Sequence, residues 1–329
     1  MSTTNGQWYP PEWPDRIRAL TRGELTPVAP RRAATVLLLR PGAAGLAVHM
    51  LRRRASMAFA GGAYAYPGGS VDPRDEHDVP WAGPSAQEWA DRLGTGPAEA
   101  RAIVCAAVRE TFEETGVLLA GPSPDSVVAD TTGPVWAADR AALVGHELAF
   151  ADFLRRRRLV LRSDLLGAWA RWITPEFEPR RYDTWFFVAA LPEGQRAQEG
   201  STEADRSVWL DPAEAVAGYQ RGELLMMPPT LATLRSLCPH RTVPEVLAAA
   251  VEQDLAPVLA RPRLVGDEIV LSWPGHEEFT KHVSSGAGGG TTESASPASP
   301  ASPASPAGPA GTAETPGASE ASEASGADA

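Results

Sequence analysis

Arg109-Glu110-Thr111-Phe112-Glu113-Glu114-Thr115-Gly116-Val117 sets three carboxylates within five residues, an arginine just before them and a glycine just after. On a helix, positions 110, 113 and 114 are related by i,i+3 and i,i+4, so the three acids share one side. Val104, Val108 and Phe112, spaced four apart, point the other way and would seat the helix in a core. Gly116 is a natural stop, because glycine takes the left-handed conformation without steric cost. Pro97 suits a first turn, so the spacing predicts a helix over 97–115. An anionic cluster on a rigid helix repels itself unless a positive charge fills it, and a hard divalent cation with oxygen ligands is the obvious candidate. The alternative is a solvated face with Arg109 and Glu113 as an ordinary i,i+4 pair.

The neighbouring residues favour the first reading. The stretch resembles the second half of the Nudix box, Gly-x5-Glu-x7-Arg-Glu-U-x-Glu-Glu-x-Gly-U, where U is a bulky apolar residue. Arg109-Glu110, Phe112, Glu113-Glu114, Gly116 and Val117 fill every slot of that half, and Tyr66-Pro67-Gly68-Gly69 resembles the Phe-Pro-Gly-Gly that opens the box in many members. The first half departs from the pattern. The arginine stands 40 residues after Gly69, 26 more than the pattern's fourteen. Counted back from Arg109, the expected glutamate falls on Arg101, with Glu99 close but out of register. We therefore place an insertion at about 70–98, polar and punctuated by Pro and Gly, with a short helix near Ser85–Leu93. Asp72, Asp75, Glu76 and Asp78 read as solvated loop residues, unless the insertion shapes a substrate pocket.

An insertion inside the box is characteristic of one branch, the Nudix motif-19 type, whose mammalian members are peroxisomal coenzyme A diphosphatases. Further down the chain, Trp172-Ile173-Thr174-Pro175 and Arg180-Arg181-Tyr182-Asp183-Thr184-Trp185-Phe186-Phe187 resemble that branch, as does the Pro-Pro turn Met226-Met227-Pro228-Pro229-Thr230. The coenzyme A signature ahead of the box is incomplete: Gly62 and Tyr66 fill its glycine and aromatic slots, but Ala58 stands where it has arginine. The resemblance covers about residues 30–240.

What the resemblance implies is an α/β protein of the Nudix fold, a mixed β-sheet in an α/β/α sandwich, that hydrolyses a diphosphate linkage in a nucleoside-diphosphate-linked small molecule. Coenzyme A and its esters come first by branch. Glu110, Glu113 and Glu114, with the Gly68 carbonyl, would hold Mg²⁺ or Mn²⁺. Glu110 or Glu203 would take the proton, and Arg109 would orient the cluster through Glu113 or Glu110. Of Arg52-Arg53-Arg54, one would clamp a substrate phosphate, and Arg53 is our candidate. Arg180 and Arg181 would contact the diphosphate, or one of them would hold Asp183. The competing class is a non-catalytic module that senses a nucleotide metabolite. Such modules often lose a box glutamate, and the second half here has lost none.

Composition bounds the rest. The formal charge of the 329 residues is −11. Glu293, Glu314, Glu320, Glu323 and Asp328 lie in the last segment without any Lys or Arg, leaving −6 on the remainder. An acidic body argues against a nucleic-acid partner, which would want a basic excess. From 283 to 329 the chain is Gly, Ala, Ser, Pro and Thr without an aromatic residue, a composition expected to be disordered. We divide the chain into an N-terminal extension (1–30), the Nudix domain (31–240), a helix-and-strand extension (241–282) and that tail. Cys105 and Cys238 provide no disulfide framework and no zinc spacing. No apolar run reaches the ~18 residues of a membrane span, and no secretory pattern opens the chain, so a cytoplasmic setting is expected. His49 alternates with apolar neighbours and reads as a sheet-face residue. Arg155–Arg158 read as a solvated basic turn, since consecutive helical residues face all directions.

Overall fold

The computed structural model describes residues 9–43, 45–56, 61–198, 204–266 and 268–283. Glu203, Ala58 and the expected tail lie outside them, except Val283, which is the buried last residue of a strand. After α1 (Trp13–Thr21), two apolar runs form the hairpin β1 (Arg31–Gly42) and β2 (Gly45–Arg53), with Leu39 opposite Val48. The short strands β3 (Tyr64–Ala65) and β4 (Gly68–Ser70) pair with β2 and β1 respectively. A 3₁₀ turn (Pro73–Glu76), β5 (Trp81–Ala82) and α2 (Ala86–Leu93) lead to α3 (Pro97–Thr115). Then come β6 (Ala120–Gly121), α4 (Pro134–Val144), α5 (Phe150–Arg157), β7 (Val160–Arg162), β8 (Leu166–Ile173), β9 (Tyr182–Ala190) and β10 (Ala204–Leu210). The rest is α6 (Pro212–Gln220), α7 (Pro228–Leu237), α8 (Val243–Ala249), β11 (Val258–Leu259), β12 (Arg261–Val265), β13 (Glu268–Trp273) and β14 (His276–Val283).

The main sheet runs β10-β2-β1-β9-β8-β11 and is mixed: β1 lies parallel to β9 and β8 to β11, and the other pairs are antiparallel. Alternation along β1 divides its side chains between two apolar layers. Ala34, Val36 and Leu38 join a core with Trp89, Val104, Val108, Phe112 and Phe153 from α2, α3 and α5. Leu37 and Leu39 face the opposite core, with Ile17, Leu234 and Val246 from α1, α7 and α8. Helices on both faces of a mixed sheet make the α/β/α sandwich that the resemblance implied.

The carboxylate helix has the expected bounds. Gly116 closes α3 in the left-handed conformation at φ 71°, its N–H donating to the Phe112 carbonyl, and Val104, Val108 and Phe112 are buried. In the inserted segment Glu76 and Asp78 are exposed as expected, and the short helix expected near Ser85–Leu93 forms as α2, whose Trp89, Ala90 and Leu93 are buried in the core. Ser85 and Glu88 form a capping box on α2, and Trp89 packs edge-on against Phe187 at 5.8 Å. Arg92 donates to the carbonyls of Ala250 and Gln253 at 2.8 Å, tying α2 to the residues after α8. The basic run at the end of α5 is likewise paired: Arg156 and Arg157 hold the buried Asp139, and Arg157 stacks on Trp136 at 3.8 Å. His49 is buried in the sheet, edge-on to Trp209, and its pKa falls to about 4 through burial and then the charge of Arg40. Among the described residues, no helix is long and apolar enough to cross a membrane.

Candidate active site

The site starts at the edge of β4. Its antiparallel register on β1 sets Thr35 opposite Gly68 and Ala33 opposite Ser70. The flanking bonds, Val36 N–H to the Pro67 carbonyl and Val71 N–H to the Arg32 carbonyl, fix which pairs are hydrogen-bonded. Residues 68 and 70 therefore turn both N–H and C=O away from β1. There α3 meets them: the Gly68 N–H donates to Glu114 Oε2 at 2.9 Å, and the Ser70 carbonyl accepts from Arg109 Nη2 at 2.9 Å. The paired glycines answer to closeness rather than to backbone angle. A Cβ on Gly69 would lie 2.5 Å from Glu110 Oε1, and one on Gly68 would lie 2.5 Å from the Ala34 carbonyl oxygen and Thr35 Oγ1. Glu110 occupies the space of the side chain that Gly69 lacks.

Arg109 organises the carboxylates. It is only 6% exposed, and each end of its guanidinium is engaged. Nε and Nη2 donate to Asp75 Oδ1 and Oδ2 at 2.9 and 2.8 Å, while Nη1 donates to Glu110 Oε1 at 2.7 Å and, more loosely, to Glu113 Oε1 at 3.4 Å. With the Ser70 carbonyl these contacts employ all five donors of a rigid fork. Asp75, 1% exposed in the 3₁₀ turn, is thus a buried ion-pair partner and not the solvated loop residue expected. Arg109, expected to act through Glu113 or Glu110, contacts both.

One arginine does not balance this cluster. Burial pushes the Glu110 carboxyl up to about 7, with the neighbouring Glu113 and Asp75 adding to the rise and Arg109 opposing it. Burial raises Glu113 as well. Among the described residues no group of three His, Cys, Asp or Glu side chains stands in metal-holding geometry. The donor chemistry nevertheless fits a hard cation: Glu110, Glu113 and Glu114 are oxygen donors on adjacent turns, the first two with pKa raised by burial, and the Gly68 carbonyl is turned to the same edge.

The remaining predicted residues fall out differently. Arg53, at the end of β2, sits opposite Ala204 and is half-buried, and its enclosed Nε has no hydrogen-bond partner among the described residues. Alternation from His49 turns it to the α3 side of the sheet. Arg181 is buried and spends its guanidinium on the carbonyls of Thr174 and Val28, while Arg180 is exposed. Asp183 is held by neither of them: Arg171 grips it through Nε and Nη2 at 2.9 and 2.7 Å. Glu203 lies outside the described residues. The nearby Asp205 is paired with Arg52 at 2.7 Å.

Two residues went unread in the sequence. Asp75 stands six after Gly69, the slot that the box pattern gives to glutamate, so the first half of the box is present with aspartate. The extra 26 residues separate Asp75 from Arg109, and counting forward from Gly69 would have found it. Arg101, which counting backward placed in that slot, instead pins the insertion by donating to Asp78 and the Glu76 carbonyl. The second is Arg140 on α4, whose Nε donates to the Glu113 carbonyl at 2.7 Å, with no motif to announce it.

Residues 85–237 match the model of the NUDT19 Nudix domain. The acyl-coenzyme A diphosphatase NUDT19 of Xenopus laevis is 25% identical over 274 residues, covering 70% of this chain and 71% of the relative. The Homo sapiens protein of the same name is 27% identical over 280 residues, covering 73% and 74%. Among solved structures, a Nudix hydrolase from Alicyclobacillus acidocaldarius superposes with a TM-score of 0.56 at 26% identity, covering 70% of this chain and 99% of that one.

Proposed function

We infer the activity from the family to which the chain belongs: it is a Nudix hydrolase of the NUDT19 type. Its substrate in our reading is coenzyme A or an acyl-coenzyme A, cleaved at the diphosphate in a metal-dependent reaction. The observation that carries this is the lock of Asp75 and Ser70 on Arg109, and of Arg109 on Glu110 and Glu113, beside glycines that leave the carboxylates room. The names of the NUDT19 relatives support the substrate class.

Glu110, Glu113, Glu114 and the Gly68 carbonyl would hold Mg²⁺ or Mn²⁺, which when bound neutralises phosphoryl oxygens and lowers the pKa of a water. The protein's own part is positional. Arg109 keeps Glu110 and Glu113 from swinging to solvent, and the Gly68 N–H does the same for Glu114. Glu110, with its pKa raised to about 7, suits a group that accepts a proton near neutral pH; Glu203 is the other candidate. Arg53 is the guanidinium we assign to a substrate phosphate.

The test is hydrolysis of a diphosphate panel that includes coenzyme A, acyl-coenzyme A, NADH, nucleotide sugars and dinucleotides, with Mg²⁺, Mn²⁺ or chelator. Metal-dependent release of 3′,5′-ADP from coenzyme A is the expected result. Turnover of another diphosphate alone would keep the chemistry and discard the substrate. No turnover at all would sink the hydrolase assignment.

A further inference from the structure

We propose that Arg140 is a positioning residue of this site, locking the last turn of the carboxylate helix to Gln198. Arg140 projects from α4, outside the box and outside every motif read in the sequence. Its Nε donates to the Glu113 backbone carbonyl at 2.7 Å and its Nη1 to Gln198 Oε1 at 3.4 Å. The carbonyls of a helix's last turn lack intrahelical partners and carry the negative end of the helix dipole, so a guanidinium there both satisfies and neutralises. Gln198 is itself fastened to the same turn: its N–H donates to the Thr115 carbonyl at 2.7 Å and its Nε2 to the Thr131 carbonyl at 3.2 Å. Its side chain lies against Gly116, where an added Cβ would come within 2.7 Å of the Gln198 amide.

Hydrogen bonds alone do not account for this arginine. Among the described residues its buried Nη2 has no hydrogen-bond partner, which carries a desolvation cost. Burial lowers the Arg140 pKa, and the charges of the Glu114 and Glu113 carboxylates oppose that fall only in part. Arg140 thus serves the turn that bears both carboxylates: it holds Glu113 through the backbone carbonyl and not through the side chain.

The test uses the full chain with Arg140→Lys, Gln198→Ala and the double variant. Arg140→Lys keeps the charge and loses the fork. Mn²⁺ binding by electron paramagnetic resonance is read alongside kcat and KM for the best panel substrate, so the kinetic part alone rests on the hydrolase reading. Both single variants should weaken Mn²⁺ binding and lower kcat by about 10- to 100-fold, as for other residues that orient metal ligands, with KM within about twofold. The double variant should be no worse than the poorer single one, because both act through one link. Unchanged Mn²⁺ affinity in both single variants, or effects that simply multiply, would overturn the proposal. If Arg140→Lys loses its circular-dichroism spectrum, Gln198→Ala alone decides. A wild type that turns over nothing yet binds Mn²⁺ refutes the hydrolase reading and leaves the Mn²⁺ comparison decisive for Arg140.

Discussion

Asp75 and Arg109 stand 34 positions apart and meet in a two-pronged ion pair, Nε to Oδ1 at 2.9 Å and Nη2 to Oδ2 at 2.8 Å, with both side chains shut away from solvent. Removing one member of a buried pair strands the other charge, which costs about 3–5 kcal/mol. Asp75→Ala should therefore lower the urea midpoint by that equivalent and release Glu110 and Glu113 with Arg109. Asp75→Glu restores the residue of the box pattern and should keep turnover within about tenfold. Equilibrium unfolding of both variants checks the expectation, and an Asp75→Ala protein as stable as the parent would refute it.

Gly69 is a second point where the site admits no substitute. Its φ is ordinary, so alanine adds no backbone strain, but the new Cβ would sit 2.5 Å from Glu110 Oε1 and 2.6 Å from its Cδ. The flexible carboxylate must give way. Gly69→Ala should leave the fold within about 1–3 kcal/mol of the parent while displacing Glu110 and lowering kcat by at least about tenfold. Paired unfolding and kinetic measurements separate the two effects, and full activity in this variant would show that Glu110 can work from another position.

These two positions also show where the sequence was legible. Helix α3 could be read because its signals are local: Pro97 at the start, Gly116 at the stop, and apolar residues four apart between them. The mixed sheet followed from short apolar runs and the resemblance. Asp75 was hidden because its partner lies across the insertion, and only the count forward from Gly69, not the count back from Arg109, separates it from Asp72 and Asp78. Asp183 was hidden differently. Two arginines precede it in sequence, yet the one that grips it is Arg171, set opposite Trp185 on the neighbouring strand and so diagonal to Asp183. Strand register chose that partner, and register is a tertiary fact. Arg140 follows Asp139 in an alanine-rich helix that matches no motif, and its role depends on how α4 docks on α3.

Glu114 gives the sharpest test of the chemistry. Its Oε2 accepts the Gly68 N–H at 2.9 Å, a bond that the amide oxygen of glutamine can keep. Glu114→Gln therefore removes a charge and a hard ligand with little change to the scaffold. Turnover should fall by orders of magnitude, about 10²- to 10⁴-fold, and the thermal midpoint should stay within a few degrees. Unchanged activity in a folded Glu114→Gln protein would remove this carboxylate from the reaction.

Glu110 makes a prediction about pH in the metal-free protein. Burial, with help from Glu113 and Asp75, raises its carboxyl from 4.5 to about 7 in the folded state. Between those values the folded protein holds a proton that the unfolded chain has released. The contribution to stability is thus fully present below the unfolded value and is lost as pH rises through about 7. Glutamine imitates the protonated form at every pH. Measured in chelator, the stability of Glu110→Gln relative to wild type should rise between pH 5 and pH 8, by something on the order of 1–3 kcal/mol. The constant loss of the Arg109 contact to Glu110 shifts both ends equally, so the slope and not the offset is the readout. Divalent metal should reverse the trend, stabilising wild type at pH 8 and not the variant. A flat difference across this range would mean that Glu110 ionises as an ordinary surface carboxylate, and its candidacy as the group that takes the proton near neutral pH would fall with that.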